Sequence, residues 1–260
     1  MSHGTGGSPE AMGWLAKELA EAGYVVIGAH HHGNTADEPY LPEGFLCWWE
    51  RAVDLSLLLT ALEKNGPFAG RLDLEKVFAV GFSLGAHTVL ALTGAITSME
   101  RFSEWAAYFP AFQGGPREMP GSATHIPRLL QTSHPFRVSW ARQSDSFFDG
   151  RIRMAIALAP SPPVRAFDPA TVAAIETPVT LITGEADTEA PSRECADWLV
   201  QTNMHFGRIS VGRNVGHYTF LGFPGELSGD DDGVLFRDEP GVRRSSIHER
   251  VAEEIIAVIA

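Results

Sequence analysis

Apolar positions recur along the chain at two alternating spacings. Met12, Leu15 and Leu19 repeat at helical spacing. They follow Ser8-Pro9-Glu10, where a hydroxyl, a proline and an acid read as a capped helix start. Gly23 is placed to stop that helix. Residues 24–29 are a short apolar run, read as a buried strand. A second helix is expected at about 45–64, ending before Asn65-Gly66. A buried strand at about 76–81 then turns sharply into a helix beginning near Leu84. Ile152–Leu158 and residues 177–183 read as further strands, the latter followed by a helix at about 191–201. Residues 208–211 are a candidate last strand. A closing helix is expected near Ser246, where Ser246-x-x-Glu249 makes a capping box. Helices alternating with strands predict an α/β fold with a mostly parallel central sheet flanked by helices.

Residues 98–149 break the rhythm with prolines, glycines and the aromatics Phe102, Trp105, Tyr108, Phe109 and Phe112. They read as an insertion within one α/β domain covering residues 1–260, not as a separate domain. Their aromatics, at three- and four-residue spacing, either pack onto the body or form a lid whose apolar face lines a pocket. Residues 225–241 are an acidic, glycine-rich loop. Its Asp230, Asp231 and Asp232 read as solvated, because they lack the spacing of an EF-hand calcium loop.

The composition narrows the possible partners. With 20 basic against 32 acidic residues in 260, the formal charge is −12. That argues against nucleic acid, which calls for a basic patch, and favours neutral or cationic small molecules. Two cysteines, Cys47 and Cys195, are too few for a disulfide framework or a cysteine-rich zinc site. No run of about 20 apolar residues exists, so no transmembrane helix is expected. No signal peptide is visible at the start either. Compartment and oligomeric state are left open by the sequence.

Gly81-Phe82-Ser83-Leu84-Gly85 fits G-x-S-x-G between a strand and a helix, the context that gives this motif its meaning. A strand turning straight into a helix strains the serine backbone and lifts its hydroxyl above the sheet. Larger flanking side chains would collide with backbone, hence glycine. The helix N-terminus favours negative charge at the reacting oxygen. Ser83 is therefore the candidate nucleophile, against the plain alternative of an ordinary tight turn. A serine hydroxyl needs a base near neutral pH, and the base needs an orienting acid. In this motif's chain order the acid follows the serine and the histidine follows the acid. Asp187, in Gly184-Glu185-Ala186-Asp187, lies just past the carboxyl end of a strand, where open α/β sheets gather their functional groups. Glu185 is its rival, and capping the helix near Pro191 is the bland role for Asp187.

Only His205, His217 and His248 follow Asp187. His217, beside Gly216 in a loop, is the candidate base. His248 falls inside the closing helix, and His205 precedes the last strand. The glycine-rich turn His3-Gly4-Thr5-Gly6-Gly7 can aim backbone N–H groups at one point, with the Leu84 N–H as second donor. One such donor is worth roughly 3–4 kcal/mol to a transition state. As a dinucleotide fingerprint the turn fails, since Pro9 occupies the third glycine position and no strand precedes it. His30-His31-His32 reads as surface or pocket-rim residues, because adjacent side chains on an extended segment face opposite ways and cannot share one metal.

These motifs, with Gly33-Asn34-Thr35, Gly44-Phe45, Trp49 and Gly216-His217-Tyr218-Thr219-Phe220, resemble the α/β-hydrolase superfamily. Within it they resemble the bacterial predicted dienelactone hydrolase group, related to platelet-activating-factor acetylhydrolases. The resemblance implies a catalytic Ser83, His217 and Asp187, with Thr5 and Leu84 as backbone oxyanion donors. It implies hydrolysis of small to medium apolar carboxylic esters through an acyl-enzyme, without metal or organic cofactor. Three departures are visible. True dienelactone hydrolases use a cysteine where Ser83 stands. The group's Asp-His-Pro is replaced by His30-His31-His32. The strands that precede the oxyanion turn in the superfamily are absent from this sequence. The last departure is explained either by a shortened N-terminus or by direct pairing of the 24–29 strand with the strand before Ser83. The rival functions are a non-catalytic ligand-binding protein on the same scaffold and a thioester or peptide hydrolase.

Overall fold

Four strands form the sheet in the computed structural model, which describes residues 1–109, 112, 114–222, 235 and 237–260. They are β1 (Val77–Phe82), β2 (Ile152–Leu158), β3 (Val179–Thr183) and β4 (Gly207–Ser210), paired in that order and all parallel. In chain order the helices are α1 (Gly13–Glu21), α2 (Pro42–Leu46), α3 (Glu50–Lys64), α4 (Leu84–Leu92), α5 (Met99–Ala107), α6 (Ile126–Thr132), α7 (His134–Ala141), α8 (Pro169–Ala173), α9 (Ala196–Thr202) and α10 (Arg244–Ile259).

Alternation along the strands builds two cores. Ala79, Ala155, Ala157 and Leu181 join residues of α3, α4, α8 and α9. Val80, Phe82, Ile156, Leu158 and Ile182 join Leu15 and Leu19 of α1 and Val251 and Ile255 of α10. Every residue of α4 is buried, which explains its all-round apolar sequence. The small Ala155 and Ala157 let that helix lie close to the sheet. Fully burying a side chain such as Ile156 stabilises by about 1.5–3 kcal/mol, several times the worth of an exposed ion pair such as Lys17 with Glu21.

Beyond β1 the sheet continues through a single residue. Ser2 bridges Gly81 on one side and Ala29 on the other, both in parallel sense. Its N–H donates to Val80 O at 2.9 Å, and its carbonyl accepts from Phe82 N–H at 3.0 Å. The expected strand at 24–29 is therefore corrected to an extended segment with one bridge, at Ala29. Its described ladder contacts are the Met1 amino group to Ile27 O at 2.6 Å, Ala29 N–H to Met1 O at 3.3 Å and the Ser2 bridge, and Val25 is 47% exposed. Direct pairing of residues 24–29 with β1 is likewise overturned, because Ser2 lies between them.

Other expectations also change. The single helix at 45–64 is two helices, α2 and α3, broken at residues 47–49. Cys47 leaves helical geometry (φ −98°, ψ 61°), and the Trp48 indole N–H takes the Phe45 carbonyl that a continuing helix would use. The helix expected from 191 starts at Ala196, after a turn in which the Glu194 and Cys195 N–H groups both donate to Pro191 O. Ser8 precedes Pro9 as expected but makes no side-chain cap. Ser246 lies inside α10, which begins at Arg244, so its capping box does not form. The Arg244 guanidinium, bound to Asp238, anchors that start instead. Asp230, Asp231 and Asp232 lie outside the described residues.

Among the described residues of 98–149 lie α5, α6, α7 and a 3-10 turn at Ser122–His125. Leu129 and Phe136 pack with Leu46, Cys47 and Trp49. The Trp105 indole stacks on Phe109 and Phe112 and donates to Glu194 at 3.4 Å. Phe102, one turn before Trp105 on α5, faces the cavity described below.

Candidate active site

Ser83 sits between β1 and α4 with φ 56° and ψ −114°, a conformation that only glycine adopts without strain. The turn is held on both sides. Ser83 N–H donates to Leu158 O at 2.9 Å. A Cβ on Gly81 would stand 1.9 Å from Gly85 O, and one on Gly85 would stand 2.0 Å from Ser2 O. Both glycines of the motif are thus fixed by backbone approach.

β3 ends at Thr183, and Gly184 passes so close to Val215 that a Cβ would lie 2.1 Å from the Val215 carbonyl oxygen. Asp187 follows and divides its carboxylate: Oδ1 accepts from Ala190 N–H at 2.7 Å, and Oδ2 faces His217 Nδ1 at 2.7 Å. The Ala190 bond ties the loop after β3 but caps no helix, since α9 starts at Ala196, so the capping role expected for Asp187 is not what the structure shows. His217 opens a 3-10 turn (His217–Phe220), and its Nε2 lies 2.9 Å from Ser83 Oγ. A carboxylate at Nδ1 puts the imidazole proton there, leaving Nε2 to accept from the serine hydroxyl. Phe82 and Tyr218 flank the ring at 4.9 and 5.3 Å between centroids.

The remaining candidates fall elsewhere. Glu185 is exposed and accepts from Ser210 Oγ. His205 is exposed as well. His248 is buried against Trp14 and bonded to Thr219 O. Thr5 and Leu84 line the same cavity as Ser83 and His217, and neither N–H has an acceptor among the described residues. The turn at residues 3–7 is tied down by Gly6 N–H to Asn34 Oδ1 at 2.6 Å and by the Tyr40 hydroxyl to Gly6 O at 2.7 Å. Asn34 and Tyr40 carry no sequence signal for this role, because the turn they hold is 28 and 34 residues away.

The cavity measures about 1470 Å³. Trp48, Phe102, Met99 and Phe45 give it an apolar wall, while Tyr40, Arg117, Glu189 and Tyr218 make a polar side. Arg117 stacks over Tyr218, whose phenol is pushed up by burial with Glu189 beside it.

His31 corrects the reading of the histidine triplet. His30 and His32 are exposed as expected, but His31, facing the opposite way, is 1% exposed and neither surface nor rim. Glu10, His30 and Asp37 bring three potential ligand atoms within 4.8 Å. His30 meets Asp37 through Nδ1 at 2.9 Å and faces Glu10 through Nε2 at 3.6 Å, so the two carboxylates lie at opposite edges of one ring.

No family model matches the chain, and no curated protein matches it. Among solved structures it is similar to a ferulic acid esterase from Streptomyces cinnamoneus, with a TM-score of 0.58 at 18% identity. The match covers 99% of this chain and 64% of that one, so this chain spans under two thirds of its length. Together with the parallel sheet flanked by helices, the likeness identifies the fold as that of the α/β hydrolases.

Proposed function

We propose that this chain is a serine-dependent carboxylic ester hydrolase acting on small to medium apolar esters. The observation that carries the reading is the run of two hydrogen bonds from Asp187 through His217 to Ser83, at 2.7 and 2.9 Å, on the wall of an aromatic-lined cavity. The structurally similar protein is a ferulic acid esterase, which agrees with this reading. The Gly33-Asn34-Thr35 and Gly216-His217 motifs favour the dienelactone hydrolase-like group within the fold.

Ser83 Oγ attacks the ester carbonyl as His217 Nε2 takes its proton. Asp187 holds the imidazole and stabilises its cationic form. The Thr5 and Leu84 N–H groups receive the developing oxyanion, assisted by the N-terminus of α4. His217 returns the proton to the departing alkoxide. Water, deprotonated by the same histidine, then releases the acid from Ser83. The apolar wall at Trp48 and Phe102 takes the hydrophobic part of the substrate, and residues 98–149 act as a lid over it.

Ser83→Ala tests this directly. Turnover of a p-nitrophenyl ester should fall at least about 10³-fold, and fluorophosphonate labelling should disappear. Wild-type protein that binds esters without labelling is a non-catalytic binder. Labelling with cleavage of thioesters or peptides alone overturns the substrate class.

A further inference from the structure

A second serine–histidine–aspartate chain lies beneath the turn at residues 3–7, with the same spacings as the first. His31 Nε2 is 2.9 Å from Ser2 Oγ, and His31 Nδ1 is 2.7 Å from Asp54 Oδ2. Ser2 has no exposed surface and is built into the sheet between Ala29 and Gly81, so no substrate carbonyl reaches its hydroxyl. A nucleophilic role is excluded by burial, which leaves the question of what these bonds hold.

We infer that Asp54 and Arg51, three residues apart on α3, are positioning residues for the Thr5 N–H, acting through His31 and His3. This rests on the ester-hydrolase reading, in which Thr5 receives the oxyanion. The Asp54 carboxylate accepts from the Nδ1–H of His31, so His31 Nε2 accepts from the Ser2 hydroxyl and fixes that residue's side chain. The His31 backbone N–H points at His3 Nε2 at 3.4 Å. His3 Nδ1 faces the Gly4 carbonyl oxygen at 2.7 Å and Arg51 Nη2 at 3.2 Å. The shorter contact requires the proton on Nδ1, which donates to Gly4 O, so the guanidinium N–H is directed to His3 O and not to the ring.

That carbonyl belongs to the peptide whose N–H is Thr5's. The two groups of a trans peptide point in opposite directions. Holding the Gly4 carbonyl towards His3 turns the Thr5 N–H away from it, beside a Gly4 whose Cβ would stand 3.2 Å from Ser83 Cβ. Arg51, 2% exposed, completes the device by donating from Nη2 to His3 O at 2.6 Å. Burial and this neighbouring cation together hold the His3 pKa well below its ordinary value, so the ring stays neutral and Nε2 remains an acceptor. Side-chain anchors matter here because the ladder bonds along β1 end at Ser2 and the turn begins at the next residue.

Asp54→Ala is the decisive variant. The Asp54 side chain is 43% exposed, so its removal opens no cavity. Losing an oxyanion donor altogether costs about 10²–10³ in kcat, and a misdirected one should cost about 10- to 100-fold. KM should stay within about twofold. The inhibition constant of a boronic acid, whose tetrahedral adduct needs the same donor, should rise by the factor that kcat falls. Asp54→Asn, which still accepts from His31 Nδ1–H, should recover most of the loss. A variant with lower thermal stability but wild-type kcat and boronate affinity overturns the inference, since that is all a purely structural role predicts. If Asp54→Ala does not fold, Ser2→Ala, which removes only the terminal hydroxyl, carries the same measurements. If the wild type neither labels with fluorophosphonate nor hydrolyses esters, the function fails while the positioning is still read from the Thr5 amide resonance. That resonance should move in Asp54→Ala and stay in Glu185→Gln. An unmoved Thr5 amide in folded Asp54→Ala sinks the positioning itself.

Discussion

Gly85 lies so close to Ser2 that a Cβ on the glycine would stand 2.0 Å from the Ser2 carbonyl oxygen, the same oxygen that accepts the Phe82 N–H. The helix that follows Ser83 is thus seated on a two-residue segment, and the turn at residues 3–7 issues from that segment. Gly85→Ala should push the two apart, lowering stability by about 3 kcal/mol in urea unfolding and turnover by more than the folded fraction explains. Gly13→Ala is the control. Gly13 begins α1 with open space at its Cβ position, and the substitution should stabilise by about 0.5–1 kcal/mol.

The strain at Ser83 should be measurable as stability. Its φ of 56° with ψ of −114° costs a residue with a Cβ about 1–3 kcal/mol. Ser83→Gly should unfold at higher urea than Ser83→Ala, while both lose hydrolysis. Equal midpoints for the two would mean that the backbone relaxes without the serine and that no strain is stored.

Asp187 and Glu185 are two residues apart, and only Asp187 reaches His217. Asp187→Asn should lower kcat about 10⁴-fold, because an amide no longer enforces the Nδ1 proton or stabilises the imidazolium. Glu185→Gln should leave kcat within about twofold. A large loss in the second and none in the first would move the acid to Glu185.

Buried histidines should make the fold acid-sensitive. Burial lowers His248 to about 4 and His87 to about 3, from an ordinary 6.5. The unfolded chain then binds more protons between those values. Stability is complete above about 6.5 and is lost as pH falls towards the folded values. His87, fully buried against Phe167 and bonded to Thr97, contributes on the order of 4 kcal/mol to that loss. Unfolding free energy measured from pH 7.5 to 3.5 should fall steadily. His87→Gln should be shallower by up to one proton, about 1.4 kcal/mol per pH unit. An identical slope in the variant would remove His87 from the account.

Local patterning carried what depends on local sterics. The short apolar runs place β2 at Ile152–Leu158 as expected, and β1, β3 and β4 within two residues. Gly81 and Gly85 mark a turn whose flanking side chains must be absent. The order serine, acid, histidine is the one the motif usually carries, and Ser83, Asp187 and His217 follow β1, β3 and β4 in turn. Those regularities repeat within a few residues, so the chain alone displays them. Tertiary structure decided whatever depends on a partner distant in sequence. The helix read across 45–64 breaks at residues 47–49 because Trp49 bonds Ser139 and packs under α6 and α7. Residues 24–29 are extended without forming a strand, and their one bridge is from Ala29 to Ser2, 27 positions away. His31, one of three like residues, is set apart by Asp54 and Ser2, 23 and 29 positions away. A hydrogen bond is fixed by separation in space, and neither composition nor periodicity encodes that before the sheet and helices have been packed.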